Sequence, residues 1–338
     1  MAVQDGGWSF CPNVGVAYFF AVIFALLTIA HFSQMIIHRK VYSLVIVISA
    51  ILQTLVFIFR IISINNPSSS LWYTLWFVII LIAPLWTNAY VYMIMGRMVH
   101  NFLPQKKLFG IKARRFGLYF VLLDVIAFLV QVSGAGMASG DNVSASQLLL
   151  GIHVYMAGIG FQQFFIFVFL ALAVKFQQTL NRDGATHHRI GALRLLYVLY
   201  AVLFLITVRI IFRLIEYSHG INSTIPNHEV YMYIFDTTPM WIAILLFNIV
   251  HPGRIMPGKE SDLPSRKEYK REKKEIKEAK NAAKKDGQEG SAFETSGDLE
   301  SGQLPGAHEY SQYSTPQQYA GGQEYTGSQQ RPVSPARY

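Results

Sequence analysis

The chain has 338 residues, of which 52% are hydrophobic and only 14% are charged, and its formal net charge is +9. Soluble domains carry about 25% charged residues, so this composition argues against a soluble domain and indicates a protein whose solvent is lipid. The basic residues lie between apolar runs and in the C-terminal tail, which favours membrane topology over a nucleic-acid-binding surface. The single cysteine, Cys11, excludes an intramolecular disulfide and a zinc site built from several cysteines.

The apolar runs are long enough to cross a bilayer, because a spanning helix needs about 20 mostly apolar residues. In chain order, the sequence predicts transmembrane helices over 14–37, 41–64, 71–95, 116–138, 147–174, 193–215 and 229–250. No basic stretch and no small-residue cleavage pattern precedes the first run, so we interpret it as a retained helix. The expected fold class is an all-α integral membrane protein with a seven-helix transmembrane domain over 14–253.

Lysine and arginine are distributed unevenly between the connections. They are absent from residues 1–13, 65–70, 139–146 and 216–228, and nearly all of them lie in 38–40, 96–115, 175–192 and the tail. Cytoplasmic loops carry the excess of Lys and Arg, so the sequence predicts an extracellular N-terminus and a cytoplasmic C-terminus. An odd number of spans agrees, since it places the two ends on opposite sides.

Two sequons have a permitted middle residue, Asn142-Val-Ser and Asn222-Ser-Thr. Both fall in loops that the distribution of Lys and Arg places outside. Asn142 and Asn222 are therefore glycosylation candidates.

Residues 254–338 form the predicted cytoplasmic tail. Residues 266–285 mix Lys, Arg and Glu with good helix formers, which predicts a charged helix. Two interpretations of this helix are open: a solvated helix with intrahelical ion pairs, or a basic segment held to anionic inner-leaflet lipid. Residues 286–338 are rich in Gly, Ser, Gln, Tyr and Pro, which predicts disorder.

Ionisable residues recur at helical spacing inside three apolar runs, where each costs roughly 2.5–3.5 kcal/mol on insertion scales. Span six carries Arg209, Arg213 and Glu216 on one face, at positions i, i+4 and i+7. Span seven repeats this spacing and span two ends in a cation; the residues are Glu229, Tyr233, Asp236 and Arg60. Three cations therefore meet three anions near the predicted outer end of the bundle.

Two interpretations of these charges are open. The first is an ion-paired clamp that holds three helix ends together, with Arg60 close enough to the interface to snorkel. Polar contacts between membrane helices are worth roughly 0.6 kcal/mol on average, so six charges are a costly way to pack helices. The second interpretation is a polar cavity, open outward, that binds a charged or zwitterionic group.

Further polar residues lie deeper in the runs. Asp124 and Gln131 share one face of span four, and Gln162 lies near the middle of span five. A carboxylate this far into a span is a functional candidate by default, whereas a single Gln favours a packing role. Pro84 and Pro239 are expected to kink spans three and seven. Close helix approach is expected at four glycines, Gly134, Gly136, Gly158 and Gly160.

The motifs of several enzyme classes are missing from the sequence. It contains no Gly-x-x-x-x-Gly-Lys-Ser/Thr loop and no His-Glu-x-x-His, and no nucleophile stands beside an evident base. We therefore expect no catalytic residues, no metal site and no cofactor.

Six segments together carry a resemblance to a known family. They are A-P-L-W-T-N-A-Y-V-Y-M (83–93), D-V-I-A-F-L-V-Q-V-S-G-A-G (124–136), G-I-G-F-Q (158–162), R-I-I-F-R-L-I-E-Y-S-H-G (209–220), H-E-V-Y-M-Y-I-F-D-T-T-P-M (228–240) and H-P-G (251–253). In this order they resemble the fungal lipid-translocating exporter family, the RTA-like proteins linked to aminocholesterol resistance, which include a sphingoid long-chain-base exporter. The resemblance covers about residues 10–253 and leaves out the tail.

The resemblance implies a seven-helix protein of the plasma membrane or an endomembrane that moves, or protects against, amphipathic lipids. The family-motif positions that carry over are Arg60, Asp124, Gln131, Gln162, Arg209, Arg213, Glu216, Glu229, Asp236 and Pro239. Span two departs from the family pattern, because Gln53, Val56 and Phe57 stand where members have a Glu followed by Gly-Tyr. Arg60 thereby loses its nearest expected partner.

The leading hypothesis is a translocator of a sphingoid base or similar cationic lipid that contributes to lipid asymmetry and to resistance to toxic amphiphiles. Asp236, Glu229 and Glu216 would hold the amino group, while Arg209 and Arg213 would keep these carboxylates ionised or meet a phosphate. The expected partners are membrane lipids. The alternative is a seven-helix receptor or sensor of lipids that signals through its cytoplasmic loops and tail. A lipid-modifying enzyme is a third and weaker alternative, since no nucleophile or metal cluster is evident.

Overall fold

A computed structural model of the protein describes Trp8 and residues 11–104, 106–108, 110–138, 143–183, 189–218 and 228–263, together with residues 271, 274, 275, 278 and 281. Within this part of the chain, seven helices are long and apolar enough to cross a membrane. The predicted all-α fold with seven transmembrane helices is confirmed. Asn142, Asn222 and the tail residues 286–338 lie outside the described residues, so the predictions made for them are not addressed.

Six of the described spans are single helices: α1 (Val14–His38), α2 (Leu44–Asn65), α3 (Ser70–Phe102), α4 (Ala113–Ala138), α5 (Ala145–Asp183) and α6 (Arg189–Ser218). The seventh consists of α7 (Glu229–Met232), a π-helical segment (Tyr233–Thr237), α8 (Thr238–Ile249) and α9 (Pro252–Ile255). Short 3-10 turns cover Val41–Ser43 and Lys259–Ser261, and β1 (Lys107–Leu108) pairs with β2 (Ile111–Lys112). Helices α3 and α5 extend past their predicted ends. The predictions followed hydropathy, which falls where the side chains become polar, but both helices continue through these polar residues.

Consecutive helices pack against one another, and α8 returns to contact α1 and α6. Helices α3 and α6 are the most buried spans, and α1 and α4 are the least buried. Large apolar side chains such as Phe19 on α1 and Leu118 on α4 are exposed on the outside of the bundle, where they would face lipid. The side on which each terminus lies stays a prediction from the distribution of Lys and Arg.

Helices α4 and α5 approach each other at glycines. A Cβ added to Gly134 would lie 2.3 Å from the Tyr155 nitrogen, and one added to Gly158 would lie 3.0 Å from the Ala127 carbonyl oxygen. Both glycines are therefore required for close approach. The same prediction for Gly136 and Gly160 is wrong, because a Cβ at either position would meet nothing within 4 Å. Two residues along a helix is a rotation of about 200°, so both positions turn away from the contact face.

Residues 251–263, which we call the C-terminal clasp, fold back onto the bundle. Lys40 Nζ, at the start of the second span, donates to the Gly258 carbonyl at 2.6 Å and to Ser261 Oγ at 2.7 Å. Asp262 accepts from Lys40 and from Arg97 on α3, at 3.2 Å each. Counting residues 254–263 as part of a separate tail therefore misses their contacts, since the compact unit that contains the seven spans extends to residue 265.

The second compact unit starts at residue 266. Its described positions are helical and carry two exposed i,i+4 ion pairs, Arg271 with Glu275 at 3.4 Å and Lys274 with Glu278 at 3.5 Å. These pairs are what a solvated charged helix over 266–285 would show.

Candidate functional site

The first ion pair joins spans two and seven at the predicted outer end. Arg60, near the end of α2, donates from Nη2 to Glu229 Oε1 at 2.7 Å. Glu229 also accepts from the Tyr233 hydroxyl at 2.8 Å and from the backbone N–H of Asn13 at 2.7 Å. Tyr233 lies one helical turn after Glu229, so both side chains share a face. The three donors tie α2, the π-helical segment and the chain before α1 to one carboxylate of α7.

Arg60 is completely buried, and aromatic rings shield its charge. Its guanidinium carbon lies 4.4 Å from the ring centroid of Trp8, 5.0 Å from that of Trp76 and 5.5 Å from that of Tyr233. Such contacts are worth about 2 kcal/mol each when desolvated. Arg60 is thus held by Glu229 of span seven and by a set of aromatic rings.

The second set of ion pairs joins spans six and seven. Arg209 and Arg213, one turn apart on α6, both form ion pairs with Asp236 in the π-helical segment. Arg213 also donates to Glu216 Oε2 at 3.1 Å. We call Arg60, Arg209, Arg213, Glu216, Glu229 and Asp236 the charged cluster. Its three cations and three anions balance, which is the condition for burying them at tolerable cost.

A proline explains the local structure around Asp236. Pro239 has no N–H and its ring clashes with a carbonyl one turn earlier, so a regular α-helix is disfavoured there. The helix widens to π geometry, and both the N–H and the hydroxyl of Thr238 donate to the Tyr233 carbonyl, the hydroxyl at 2.8 Å. Such π segments are frequent at functional sites. The structure thus shows a change of helix type at Asp236; the kink at Pro239 stays a prediction.

A second proline couples α3 to the charged cluster. Helix α3 continues through Pro84, but a proline cannot donate to the carbonyl four residues earlier, which is that of Ile80. Arg209 Nη2 donates to this carbonyl at 3.1 Å. Arg209 is therefore shared between Asp236 and the main-chain acceptor that Pro84 leaves open. The kink at Pro84 stays a prediction.

Two small voids flank the charged cluster, and Arg209 lines both. One void is also lined by Gln53 and Asp236. The other is also lined by Gln131, Gln162 and Arg213. Each has a volume of about 10 Å³, which is room for a water molecule at most. The charges are thus paired and enclosed in this conformation, and space for a larger ligand lies beside them.

That space is a cavity of about 220 Å³ between α3, α4, α5 and α6 at the predicted outer end. Its lining, which we call the tyrosine pocket, consists of Tyr73, Phe77, Gly134, Ala135, Ala138, Gly151, Ile152, Tyr155 and Tyr217. Tyr155 also lines the void beside Arg209 and Arg213. Its buried hydroxyl has no hydrogen-bond partner among the described residues. The pocket therefore offers apolar volume next to the charges, and Tyr155 belongs to the lining of both spaces.

Asp124 belongs to a separate polar group on α3 and α4. Its Oδ2 accepts from Asn88 Nδ2 at 2.9 Å and from the Tyr92 hydroxyl at 3.0 Å, and its Oδ1 has no hydrogen-bond partner in the described part of the chain. Gln131, two turns further along α4, instead donates to Gln162 at 3.1 Å. The two predicted polar residues of span four thus serve different groups.

Comparison with known proteins places the chain in a family. The family described as "RTA1 like protein" matches residues 46–259, which is nearly two thirds of the chain and most of the seven-span unit. The chain belongs to the RTA1-like family. The match includes all six residues of the charged cluster.

The RTA1-like relatives have several names. The "Probable lipid transporter atnI" of Emericella nidulans is 38% identical over 262 residues, which is 74% of this chain and 68% of that protein. The "Protoporphyrin uptake protein 1" of Saccharomyces cerevisiae is 31% identical over 202 residues, or 59% of this chain and 65% of that protein. The "Sphingoid long-chain base transporter RSB1" of Saccharomyces cerevisiae is 24% identical over 75% of each chain. No solved structure matches the chain.

In this RTA1-like chain the structure brings most of the predicted site residues together. The group consists of Arg60, Arg209, Arg213, Glu216, Glu229, Tyr233 and Asp236, with Gln131 and Gln162 at one void and Asp124 apart from it. Among the described residues, no three His, Cys, Asp or Glu side chains are placed to hold a metal ion.

Sequence reasoning missed three aromatic residues of the site. Trp8 lies in a connection without periodicity, so nothing in the sequence connects it to Arg60. Trp76 is one aromatic residue among many in span three. Tyr155 did have a signal, because it lies seven residues before Gln162 and therefore on the same face of span five.

Proposed function

We propose that this chain moves an amphipathic lipid with a cationic headgroup, of the long-chain-base class, and thereby contributes to lipid asymmetry and to resistance against toxic amphiphiles. The observation that carries the proposal is the tyrosine pocket directly beside the charged cluster at the predicted outer end. An amphiphile fits this arrangement because its chain can occupy the apolar pocket or lipid while its headgroup reaches charges. The names of two relatives, a probable lipid transporter and a sphingoid long-chain base transporter, support it.

Glu216 is the carboxylate that we assign to the amino group. Among the described residues, Glu229 accepts from three donors and Asp236 pairs with two arginines, whereas Glu216 pairs with Arg213 alone. If Glu216 turns to an incoming amine, Arg213 keeps its contact with Asp236, so no buried charge is left unpaired. This assignment narrows the sequence-based hypothesis, in which all three carboxylates hold the amine.

The tyrosine pocket connects the ligand chain to this carboxylate. Tyr217 directly follows Glu216 in α6, and its ring packs edge-on against Tyr155 with centroids 5.0 Å apart. A ligand in the pocket therefore contacts both rings. Arg209 and Arg213 act in this proposal by holding Asp236 and by keeping the neighbouring carboxylate ionised.

Topology and location complete the proposal. The seven spans and the RTA1-like family make the chain an integral multi-pass membrane protein. We propose the plasma membrane, one of the two locations that the family resemblance implies. We place the C-terminus in the cytoplasm, because the Lys- and Arg-rich connections then face the cytoplasm. The basic residues of 266–285 would contact anionic inner-leaflet lipid there.

The test is efflux of labelled sphingosine from cells that express the wild type or Glu216→Gln at matched surface levels. An ionic hydrogen bond is worth about 1.5–3 kcal/mol, so the variant should lose about tenfold or more of the wild-type efflux rate. Ala138→Leu, which adds side-chain volume to the tyrosine pocket, should also slow efflux. Glu260→Gln is the matched control, because this exposed carboxylate lies in the clasp.

N-acetylated sphingosine, which has no charge, gives the second control. Wild type and Glu216→Gln should move it at equal, low rates. Absence of sphingosine efflux with the wild type would contradict the proposal and make ligand-dependent signalling, as expected of a receptor, the next measurement. Equal loss for both lipids in Glu216→Gln would show that the variant damages the fold and not the amine contact.

A further inference from the structure

The connection between α3 and α4 forms a small, anchored hairpin at the predicted cytoplasmic end. Strands β1 and β2 pair antiparallel, with Lys107 opposite Lys112. The N–H of Lys106 donates to the Leu103 carbonyl at 3.0 Å, and the N–H of Ala113 donates to the Lys106 carbonyl at 3.2 Å. Leu103 and Ala113 are each only 4% exposed. We call residues 106–115 the basic hairpin; packing holds its two ends in place.

The charges of the basic hairpin are all positive. Residues 96–123 contain no Asp or Glu. The side chains of Lys106, Lys107 and Arg115 are exposed, and none of them forms an ion pair within the described part of the chain. Lys112 stands opposite Lys107 in the strand register, so the strand pairing itself brings no anion to the hairpin. The hairpin therefore presents neighbouring cations that no anion in the described part of the chain compensates.

An apolar groove begins where the hairpin ends. It has a volume of about 260 Å³, lies between α3 and α4, and is lined by Ala89, Gly96, Ala113, Leu118 and Leu263 among others. A Cβ added to Gly96 would lie 2.8 Å from the Ala113 carbonyl oxygen, so hairpin and helix meet there without side chains between them. Ala113 belongs to both features. Clustered cations and an apolar groove are thus contiguous.

We propose that the basic hairpin and this groove together bind an anionic phospholipid. Its phosphate would contact Lys106, Lys107 and Arg115, and one acyl chain would lie in the groove. The position of the site at the predicted cytoplasmic end of the bundle supports an anionic ligand. The anionic lipids of a cell membrane lie in the cytoplasmic leaflet, where the basic connections are predicted to be. The site is distinct from the tyrosine pocket: Tyr73 of that pocket and Gly96 of the groove are separated by about 35 Å along α3.

The test counts bound lipid on the purified full-length chain in neutral detergent by native mass spectrometry. The probes are phosphatidylinositol 4-phosphate and phosphatidylcholine at equal concentration. Lys106→Gln/Lys107→Gln removes two hairpin charges, and Arg194→Gln/Arg254→Gln removes two exposed charges elsewhere at the same end as the matched control. Ala89→Leu fills the groove without changing charge.

We expect the wild type to retain one anionic lipid and to lose about tenfold or more of that affinity in the hairpin variant, but less than about twofold in the control. Ala89→Leu should also weaken binding, and the water-soluble headgroup glycerophosphoinositol 4-phosphate should not displace the lipid at equal concentration. Equal losses in the two charge variants would overturn the proposal in favour of diffuse attraction. Displacement by the soluble headgroup, or equal retention of phosphatidylcholine, would overturn it as well. Unchanged helix content in each variant verifies the fold.

Discussion

Asp236 and Asp124 are buried to the same extent, each 2% exposed, but Asp236 has charged partners and Asp124 has neutral ones. Asp236 lies between two cations, Arg209 and Arg213. Asp124 accepts from two neutral groups, the Asn88 amide and the Tyr92 hydroxyl. Two carboxyl groups in the same bundle thus meet the cost of burial in different ways, one by charge compensation and one by neutral hydrogen bonds.

The difference teaches which side chains depend on each other. A charge that is compensated by a neighbouring charge leaves that neighbour stranded when it is removed, and this costs about 3–5 kcal/mol in a buried pair. A carboxyl group held by neutral donors strands no charge. Asp262 in the clasp completes the comparison, because it pairs with Lys40 and Arg97 as Asp236 pairs with its arginines but its side chain is 38% exposed. The three aspartates separate the effect of pairing from the effect of burial.

The largest effect is expected for Asp236→Asn. The substitution keeps the shape and one acceptor oxygen but removes the negative charge, so that among the described residues Glu216 is the one carboxylate still paired with either buried guanidinium group. We expect a loss of about 3–5 kcal/mol in the free energy of unfolding. The measurement is unfolding in mixed micelles against rising sodium dodecyl sulfate.

The double variant Asp236→Asn/Arg209→Gln controls this interpretation. If charge compensation is the cause, removing one cation together with the anion should cost clearly less than the sum of the single variants, because the sites are in contact. Strict additivity would contradict the idea that Asp236 and Arg209 compensate each other.

The fold was predictable from the sequence because lipid imposes one simple requirement, about 20 apolar residues per span. The ends of α3 and α5 were not, because a hydropathy pattern ends at the membrane surface while a helix continues through polar side chains. Residue spacing also placed Arg209 and Arg213 on one face, since that inference needs only the 3.6-residue period of a single helix.

Contacts that depend on the relative depth of two helices could not be predicted. The hydrogen bond from Arg209 to the Ile80 carbonyl requires α3 and α6 to be aligned to within one helical turn. The residue pattern of a single helix does not specify its depth relative to another helix. The same applies to Asn88 and Asp124. The contact of Trp8 with Arg60 could not be predicted for a different reason: a residue in an irregular connection has no helical periodicity that connects it to Arg60.

An intermediate effect is expected at Asp124 when the substitution removes all hydrogen bonding. Asp124→Leu leaves the Asn88 amide and the Tyr92 hydroxyl without an acceptor, and each unsatisfied buried group costs about 1–3 kcal/mol. Asp124→Asn keeps an acceptor oxygen and should cost less than about 1 kcal/mol. Unfolding of both variants in the same micelles checks this. If Asp124→Asn costs as much as Asp236→Asn, a charge at Asp124 is essential and the contrast between the two aspartates is lost.

The smallest effect is expected for Asp262→Asn in the clasp. Partly exposed ion pairs are worth about 0.2–1 kcal/mol, since solvent screens them. Lys40 keeps the Gly258 carbonyl and Ser261 Oγ as acceptors, and the guanidinium of Arg97 keeps the Tyr42 ring at 3.8 Å. The cost should shrink further when unfolding is measured in about 1 M salt, where the Debye length is about 3 Å, whereas the cost of Asp236→Asn should not. A salt-independent loss above about 3 kcal/mol would make Asp262→Asn as costly as Asp236→Asn. It would show that ion pairing alone, and not burial of the pair, determines the cost. A small, salt-sensitive loss would show that burial determines it.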